Sequence, residues 1–336
     1  MPGLSVSLLL GIPETPVWGW AVSDALAWVA ILTFLAGALL SNRRTSLGRT
    51  VSAAAWVLFA LFWLQLVPHF AFGQKSFVEG ALSLAAVPAS LYTGHLLYRG
   101  RDSLLLLSRS VAYMGLIYLP FQTIPAFTVA GVRVPAPRRV LIETVAAQAG
   151  SLIHALGHDP TLIRGDEYGY WNTYEFIYTD GTERARLVFT VVLACTGIGS
   201  MTIFGGLIAA VRAPLRRKVR ALAIAIPVIY LLNILRVTFI GVAFGKQYMQ
   251  WFVPQMVALF GLEYTYDVSF IFADRIVSQI LAVVALVGVT YLVVREVPEL
   301  LSVIEDVLYL ATGDEYDLAR HLDLPAVKAD GGEQTE

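Results

Sequence analysis

Along most of this chain apolar side chains do not alternate with polar ones; they run on in blocks of about twenty, broken by short segments rich in Arg, Gly and Pro. A helix rising 1.5 Å per residue crosses a hydrocarbon core of about 30 Å with roughly that many residues. Seven blocks, at 20–40, 51–72, 78–98, 110–130, 187–211, 220–245 and 270–294, therefore predict seven transmembrane helices. Residues 138–157 read differently. Glu143, Gln148 and His154 interrupt them, while Leu141, Val145, Ala149, Leu152 and Leu156 recur at helical spacing, which predicts an outer amphipathic helix on the membrane surface. Residues 251–262 (WFVPQMVALFGL) are too short to cross and contain Pro254, so an interfacial or re-entrant segment is expected. Residues 168–183 (YGYWNTYEFIYTDGTE) combine aromatic side chains with an Asp180-Gly181 turn signal, the pattern of a small extracellular β-hairpin cap at headgroup level. The expected fold is an all-α polytopic membrane protein with these two additions.

Composition agrees. Of 336 residues, 57% are hydrophobic and 15% charged, values that exclude disorder and argue against a soluble enzyme. A net charge of −1 without a basic stripe excludes a nucleic-acid partner. The single cysteine, Cys195, cannot form an internal disulfide, and is either an inert packing residue or one nucleophile.

Arginine placement predicts orientation. Arg43, Arg44 and Arg49, then Arg99, Arg101 and Arg109, then Arg212, Arg216, Arg217, Lys218 and Arg220 follow the first, third and fifth blocks, whereas only Lys75 and Lys246 follow the second and sixth. The arginine-rich loops face the cytoplasm, and the N-terminal segment 1–19, which lacks a signal-peptide pattern, is external. The long connection 131–185 is then an outer loop of the membrane-embedded domain 20–295; it carries arginines too, but long loops constrain topology less. The stretch 296–336, with eleven acidic side chains against two basic ones, is a cytoplasmic tail with one amphipathic helix near 298–310. Arg outnumbers Lys twenty to four, which together with the acidic tail points to a salt-adapted source.

An ionisable side chain in an apolar helix costs roughly 2.5–3.5 kcal/mol at mid-depth, so each one asks for a reason. Arg236 in LLNILRVTFIG and Arg275 in FADRIVSQ are two such cases, and Cys195 sits in LACTGIGSM. In the expected topology Cys195, Arg236 and Arg275 lie roughly 12, 14 and 8 Å below the outer boundary, on three different helices. Cys195, Gly199, Thr202 and Gly206 share a small-residue face; Arg275, Ser278, Gln279 and Ala282 share another; Asn233 is one turn before Arg236. Burial alone raises a thiol's pKa and leaves it inert, whereas adjacent fixed positive charge lowers it. Arg stays protonated, and its planar fork also holds a carbonyl oxygen or carboxylate, so a Cys between two arginines has the parts for thiolate attack on an acyl group. Cys195 is the candidate nucleophile, Arg236 the stabiliser of thiolate and oxyanion, Arg275 the third catalytic position, and Asn233, Gln279 and Ser200 the candidates for support.

The alternatives are an anion-binding transporter with a structural cysteine and an inert membrane scaffold. In those readings Arg236 instead neutralises a carboxylate; Asp274 is next to Arg275, where adjacent helical positions pair poorly. His154 and His158 have no third ligand at a matching spacing, so no metal is expected, and no cofactor motif is present. His69 is a candidate for proton transfer, with His95 on the inner side and His321 in the tail.

The segments ACTGIGS, LLNILRV and ADRIVSQ, in that order on successive membrane helices, resemble the exosortase/archaeosortase family, most closely its members from halophilic archaea. The resemblance covers most of residues 20–295. It implies a nucleophilic Cys195, an essential Arg236 and a third position where Arg275 stands in place of the His of bacterial exosortases. It further implies a membrane cysteine transpeptidase-like sorting enzyme. Its partners are secreted proteins with a C-terminal tripartite signal of a Pro-Gly-Phe motif, a transmembrane helix and a basic end, typically the surface-layer glycoprotein. Removal of that signal is coupled to attachment of a membrane lipid.

Overall fold

A computed structural model of the chain describes residues 22–73, 77–166, 168–180 and 183–321. The expected external segment 1–19, Gly181 of the turn signal and the tail beyond 321 lie outside the described residues. Two compact units form, one from 1–123, 202–222 and 294–336, the other from 124–201 and 223–293.

The described part of the first unit opens on the helices α1 (Val22–Ser41), α2 (Thr45–Pro68), α3 (Phe77–Tyr98) and α4 (Leu104–Thr123). Phe34, Trp56, Leu97 and Leu104 fill their common core, with Ala55 and Ala112 keeping the backbones close. At Gly37 a Cβ would lie 2.2 Å from Ser52 Oγ, so only glycine permits this crossing of α1 and α2. Indole N–H groups find hydroxyl partners, buried Trp56 Nε1 on Ser108 at 2.9 Å and half-buried Trp28 Nε1 on Thr123 at 3.0 Å. In an apolar surround such bonds remove an orphan donor and set helix register.

The second unit starts with a hairpin, β1 (Phe127–Val129) against β2 (Val132–Val134), and α5 (Pro137–Ala155). An antiparallel sheet in the order β3-β4-β5 follows, from β3 (Thr161–Arg164), β4 (Trp171–Asp180) and β5 (Glu183–Thr190). A 3₁₀ turn (Leu193–Thr196) leads into α6 (Ile198–Ala210) and α7 (Leu215–Gly245), each with residues assigned to both units. Then come α8 (Val253–Phe260), α9 (Asp267–Ile271), a π-helical turn (Phe272–Val277) and α10 (Ser278–Glu296). The core of this unit joins α5 (Val145, Ala149, Ile153) to the sheet (Tyr174, Phe176, Leu187, Phe189) and to α7 (Val237, Ile240, Phe244). Tyr174 donates its hydroxyl to the Ala146 carbonyl, and Gly245 leaves room for Phe176, which a Cβ would approach to 2.3 Å.

The chain returns to the first unit through α11 (Leu301–Thr312) and α12 (Leu318–His321). The amphipathic α11 is the helix expected near 298–310; its Asp306 accepts from Ser103 at 2.8 Å, and Arg101 lies 3.4 Å over the Tyr309 ring. Part of the basic cluster at 212–220 is paired here too, Arg217 with Glu299 and Arg220 with Glu296.

Among the described residues five helices are long and apolar enough to cross a membrane: Val22–Ser41, Thr45–Ala71, Leu104–Thr123, Leu215–Gly245 and Asp267–Glu296. The expected block 78–98 is α3, long enough but less apolar with Glu79, Pro88 and His95 inside it. The block 110–130 shifts to 104–123, and its end becomes β1. The block 187–211 is corrected most: its first residues belong to β5 and the 3₁₀ turn, leaving a helix of 13 residues. All-α is therefore too narrow a class. The chain does reverse between Asp180 and Glu183, and the paired strands run to Trp171 and Thr190. The helix expected at 138–157 is present as α5, but it buries Ile142, Val145, Ala146, Ala149, Gly150 and Ile153 against protein, and Leu156 is exposed. Residues 251–262 hold α8, eight residues that begin at Pro254 and its neighbour Val253.

Candidate active site

Local geometry fixes the turn that bears Cys195. The Asn172 side-chain amide donates to Val191 O at 2.7 Å, and Val191 N–H donates to Asn172 O at 2.8 Å, so the chain stays clamped to β4 just past the end of β5. It then tightens into one 3₁₀ turn, in which Cys195 N–H donates to Val192 O at 2.9 Å. The buried Thr196 hydroxyl donates to Leu193 O at 2.7 Å and accepts from Ile198 N–H at 3.4 Å, satisfying one of the free donors at the start of α6. Gly197 closes the turn at φ +78°, a left-handed conformation that disfavours other residues. A Cβ at that position would also lie 3.0 to 3.1 Å from the Asn233 side chain. Asn233, on α7, occupies that space and donates its amide to the Cys195 carbonyl. Both the turn and α7 also pack against the core under the sheet, so the cysteine backbone is held from two sides.

One turn beyond Asn233, Arg236 Nη2 donates to Asp274 Oδ1 at 2.6 Å, with the two side chains 26% and 23% exposed. Arg236 Nε is buried and, among the described residues, has no hydrogen-bond partner. Asp274 reaches across because it stands on the π turn, where i→i+5 bonding widens the helix and shifts its phase relative to a regular α-helix. This corrects the expectation that Asp274 is merely a weak neighbour of Arg275. An acid within the apolar run FADRIV carries the same desolvation cost as an arginine, and that was the signal available in the sequence.

Cys195 lies on the 3₁₀ turn, outside all five candidate spans, and is partly buried. Burial pushes its thiol above the ordinary range; hydrogen bonding with the Val192 backbone and the charge of Arg236 pull it down, and Asp274 pushes it up. Burial dominates, so the resting group is the thiol, with Arg236 in electrostatic range to favour the thiolate once the proton leaves.

The structure thus brings together Cys195, Asn233, Arg236 and, unanticipated, Asp274. Arg275 is half-buried on the same π turn as Asp274, but among the described residues no hydrogen bond or ion pair joins it to Cys195 or Arg236. Ser200 is half-buried in the first turn of α6, and Gln279 is exposed on α10. The small-residue face drawn through Cys195 and Gly206 does not form as expected, since Cys195 precedes the helix that carries the others. Ser278 is buried, and among the described residues its hydroxyl has no partner. His154 pairs with Asp159 at 2.9 Å.

A family model described as transmembrane exosortase matches residues 20–262. Archaeosortase A of Haloferax volcanii is 63% identical over 303 residues, which cover 90% of this chain and 98% of that protein. Archaeosortase A of Natronomonas pharaonis is 45% identical over 314 residues, covering 90% and 93%. No solved structure matches the chain.

Proposed function

The chain belongs to the transmembrane exosortase family and is an archaeosortase-type processing enzyme of the membrane; on that premise we propose that it cleaves its clients with Cys195 as the nucleophile. The observation that carries this reading is the docking of the cysteine turn on α7 through Asn233, one helical turn from an arginine whose charge favours the thiolate. Cys195 loses its proton and attacks the client's peptide carbonyl, and the carbonyl oxygen becomes an oxyanion. Arg236 is suited to receive that oxyanion: Asp274 holds Nη2, while Nε is a buried donor without a partner among the described residues. A preorganised donor of this kind stabilises charge only as it develops, which accelerates the step rather than tightening substrate binding. Collapse breaks the C–N bond, the departing amine takes up a proton, and a thioester remains on Cys195. Attack by the amine of a lipid headgroup, with water as competitor, releases the client and regenerates the thiol.

Arg275 is proposed as a second cation for the client or the oxyanion, and Asn233 as the residue that keeps the cysteine turn in place. The clients are secreted proteins, such as a surface-layer glycoprotein, whose C-terminal signal consists of a Pro-Gly-Phe motif, a membrane helix and a basic end. The site faces the cell exterior, the N-terminus is external, and 296–336 is a cytoplasmic tail. Mass spectrometry of a client's mature C-terminus in cells making either the wild type or Cys195→Ala tests the reading. Cleaved, lipid-bearing ends are expected with the former and full-length client with the latter, at equal levels of membrane-inserted protein. Normal processing by Cys195→Ala would reject the nucleophile and favour the reading of Cys195 as a packing residue.

A further inference from the structure

An open cleft of about 790 Å³ lies along the side of α5 that the core does not use. Its walls include Arg133, Arg139, Val140, Glu143, Thr144 and Gln148. Arg139 is held from two directions, by Glu143 at 3.1 Å and by the Tyr170 ring at 5.5 Å. Glu143 is itself fixed by the Trp171 N–H at 3.1 Å. Arg133 is exposed and, among the described residues, pairs with no carboxylate. Gln148 accepts from the Tyr230 hydroxyl at 2.7 Å, which leaves its amide N–H groups for another partner. Two guanidiniums facing one cleft, one rigid and one unpaired, form a receptor for a phosphate group.

The surroundings decide where that phosphate comes from. Arg133 stands on β2, and the hairpin it belongs to exposes Phe127, Val129 and Val132 to 45%, 55% and 67%. Residues 124–126 alone separate this hairpin from the end of a candidate membrane span at Thr123. Apolar side chains left bare where a chain leaves the hydrocarbon match acyl chains better than water. Cationic and apolar groups thus meet in the chain within ten residues of that span's end, a pairing that suits a phospholipid headgroup and its acyl chains.

We infer that this cleft is a binding site for the phosphate of a membrane phospholipid, with the β1-β2 hairpin against its acyl chains. The cleft also borders the candidate active site. Helix α5 packs against the cysteine turn, and Tyr230, bonded to Gln148, precedes Asn233 by one helical turn. A lipid held here is placed to serve as the acceptor of the client, a role that rests on the reading given under Proposed function.

The full-length protein in non-ionic detergent is titrated with a phosphatidic-acid lipid, with its phosphate-free diacylglycerol counterpart and with inorganic phosphate, and binding is read by native mass spectrometry. The phosphatidic acid is expected to bind, with Arg133→Gln and Arg139→Gln each weakening it about tenfold. Glu143→Gln is expected to tighten it, since the competing carboxylate charge is gone while an acceptor for Trp171 N–H remains; mere disruption of the fold would weaken binding instead. Equal binding of the phosphate-free lipid, equal binding of inorganic phosphate, or unchanged affinity in both arginine variants would each overturn the site. In client assays, Arg133→Gln should shift products from lipid-linked toward water-released ends. Wild-type product carrying no lipid would refute the acceptor role alone and leave the lipid titration standing.

Discussion

Replacing Asp274 with Asn tests the ion pair with Arg236, whose acidic partner the sequence reading did not identify, because the exchange keeps the shape and removes only the charge. Exposed pairs contribute about 0–1 kcal/mol and breaking a fully buried one costs about 3–5 kcal/mol. Arg236 and Asp274 are each about three-quarters buried and joined at 2.6 Å, so a loss of roughly 2 kcal/mol in holding Arg236 is expected. If the oriented guanidinium acts only in the transition state, that corresponds to about a 30-fold fall in kcat/KM. A second effect has the opposite sign. Asp274 pushes the Cys195 thiol up, so its neutralisation lowers the thiol pKa and enlarges the thiolate fraction below that pKa. The wild-type rate should rise with pH through the thiol's titration, and the rising limb of Asp274→Asn should lie at lower pH. Its defect is therefore smallest in acid and reaches its full size only where both enzymes are ionised. A purified enzyme and a synthetic client peptide, followed across the pH range by chromatography of the cleaved product, provide the assay. A wild-type rate at high pH would refute the positioning role, and a limb displaced to higher pH would refute the electrostatic one.

Arg236→Lys keeps the charge but cannot both bond Asp274 and present a second planar donor, so a fall of about tenfold to a hundredfold is expected in the same assay, with KM nearly unchanged. Gly197→Ala forces a left-handed φ on alanine, at about 1–2 kcal/mol, and pushes the new Cβ against Asn233; thermal unfolding in detergent should show a modest loss and client cleavage a larger one. Tyr174→Phe removes the buried bond to the Ala146 carbonyl and should cost about 1 kcal/mol of stability, read by the same melt, while cleavage by the remaining folded enzyme is retained.

The membrane class and the family resemblance were legible in the residues. Apolar blocks of about twenty leave few alternatives to a bilayer, and Arg236 stands out because a lone charge there is expensive. The run LVFTVVLAC was misread for a physical reason: a short apolar stretch suits a buried strand as well as a helix. Pairing of Tyr174 with Phe189 and of Phe176 with Leu187, partners contributed by β4, settles its first four residues as the end of β5, and the rest tightens into the 3₁₀ turn. The face of α5 turned for a related reason, since periodicity reports that one side is apolar but not whether lipid or a sheet covers it. The pairing of Arg236 with Asp274, 38 residues away, depends on the phase shift of a π turn that no spacing rule anticipates.

What the sequence by itself determined was each quantity that depends on local composition: the length of the apolar blocks, the charge of the loops, the presence of one thiol and of arginines where water is scarce. Tertiary structure alone decided which of those groups meet. A side chain's partner is set by how separate elements pack and in what register, and those contacts are stabilised by residues far from it along the chain.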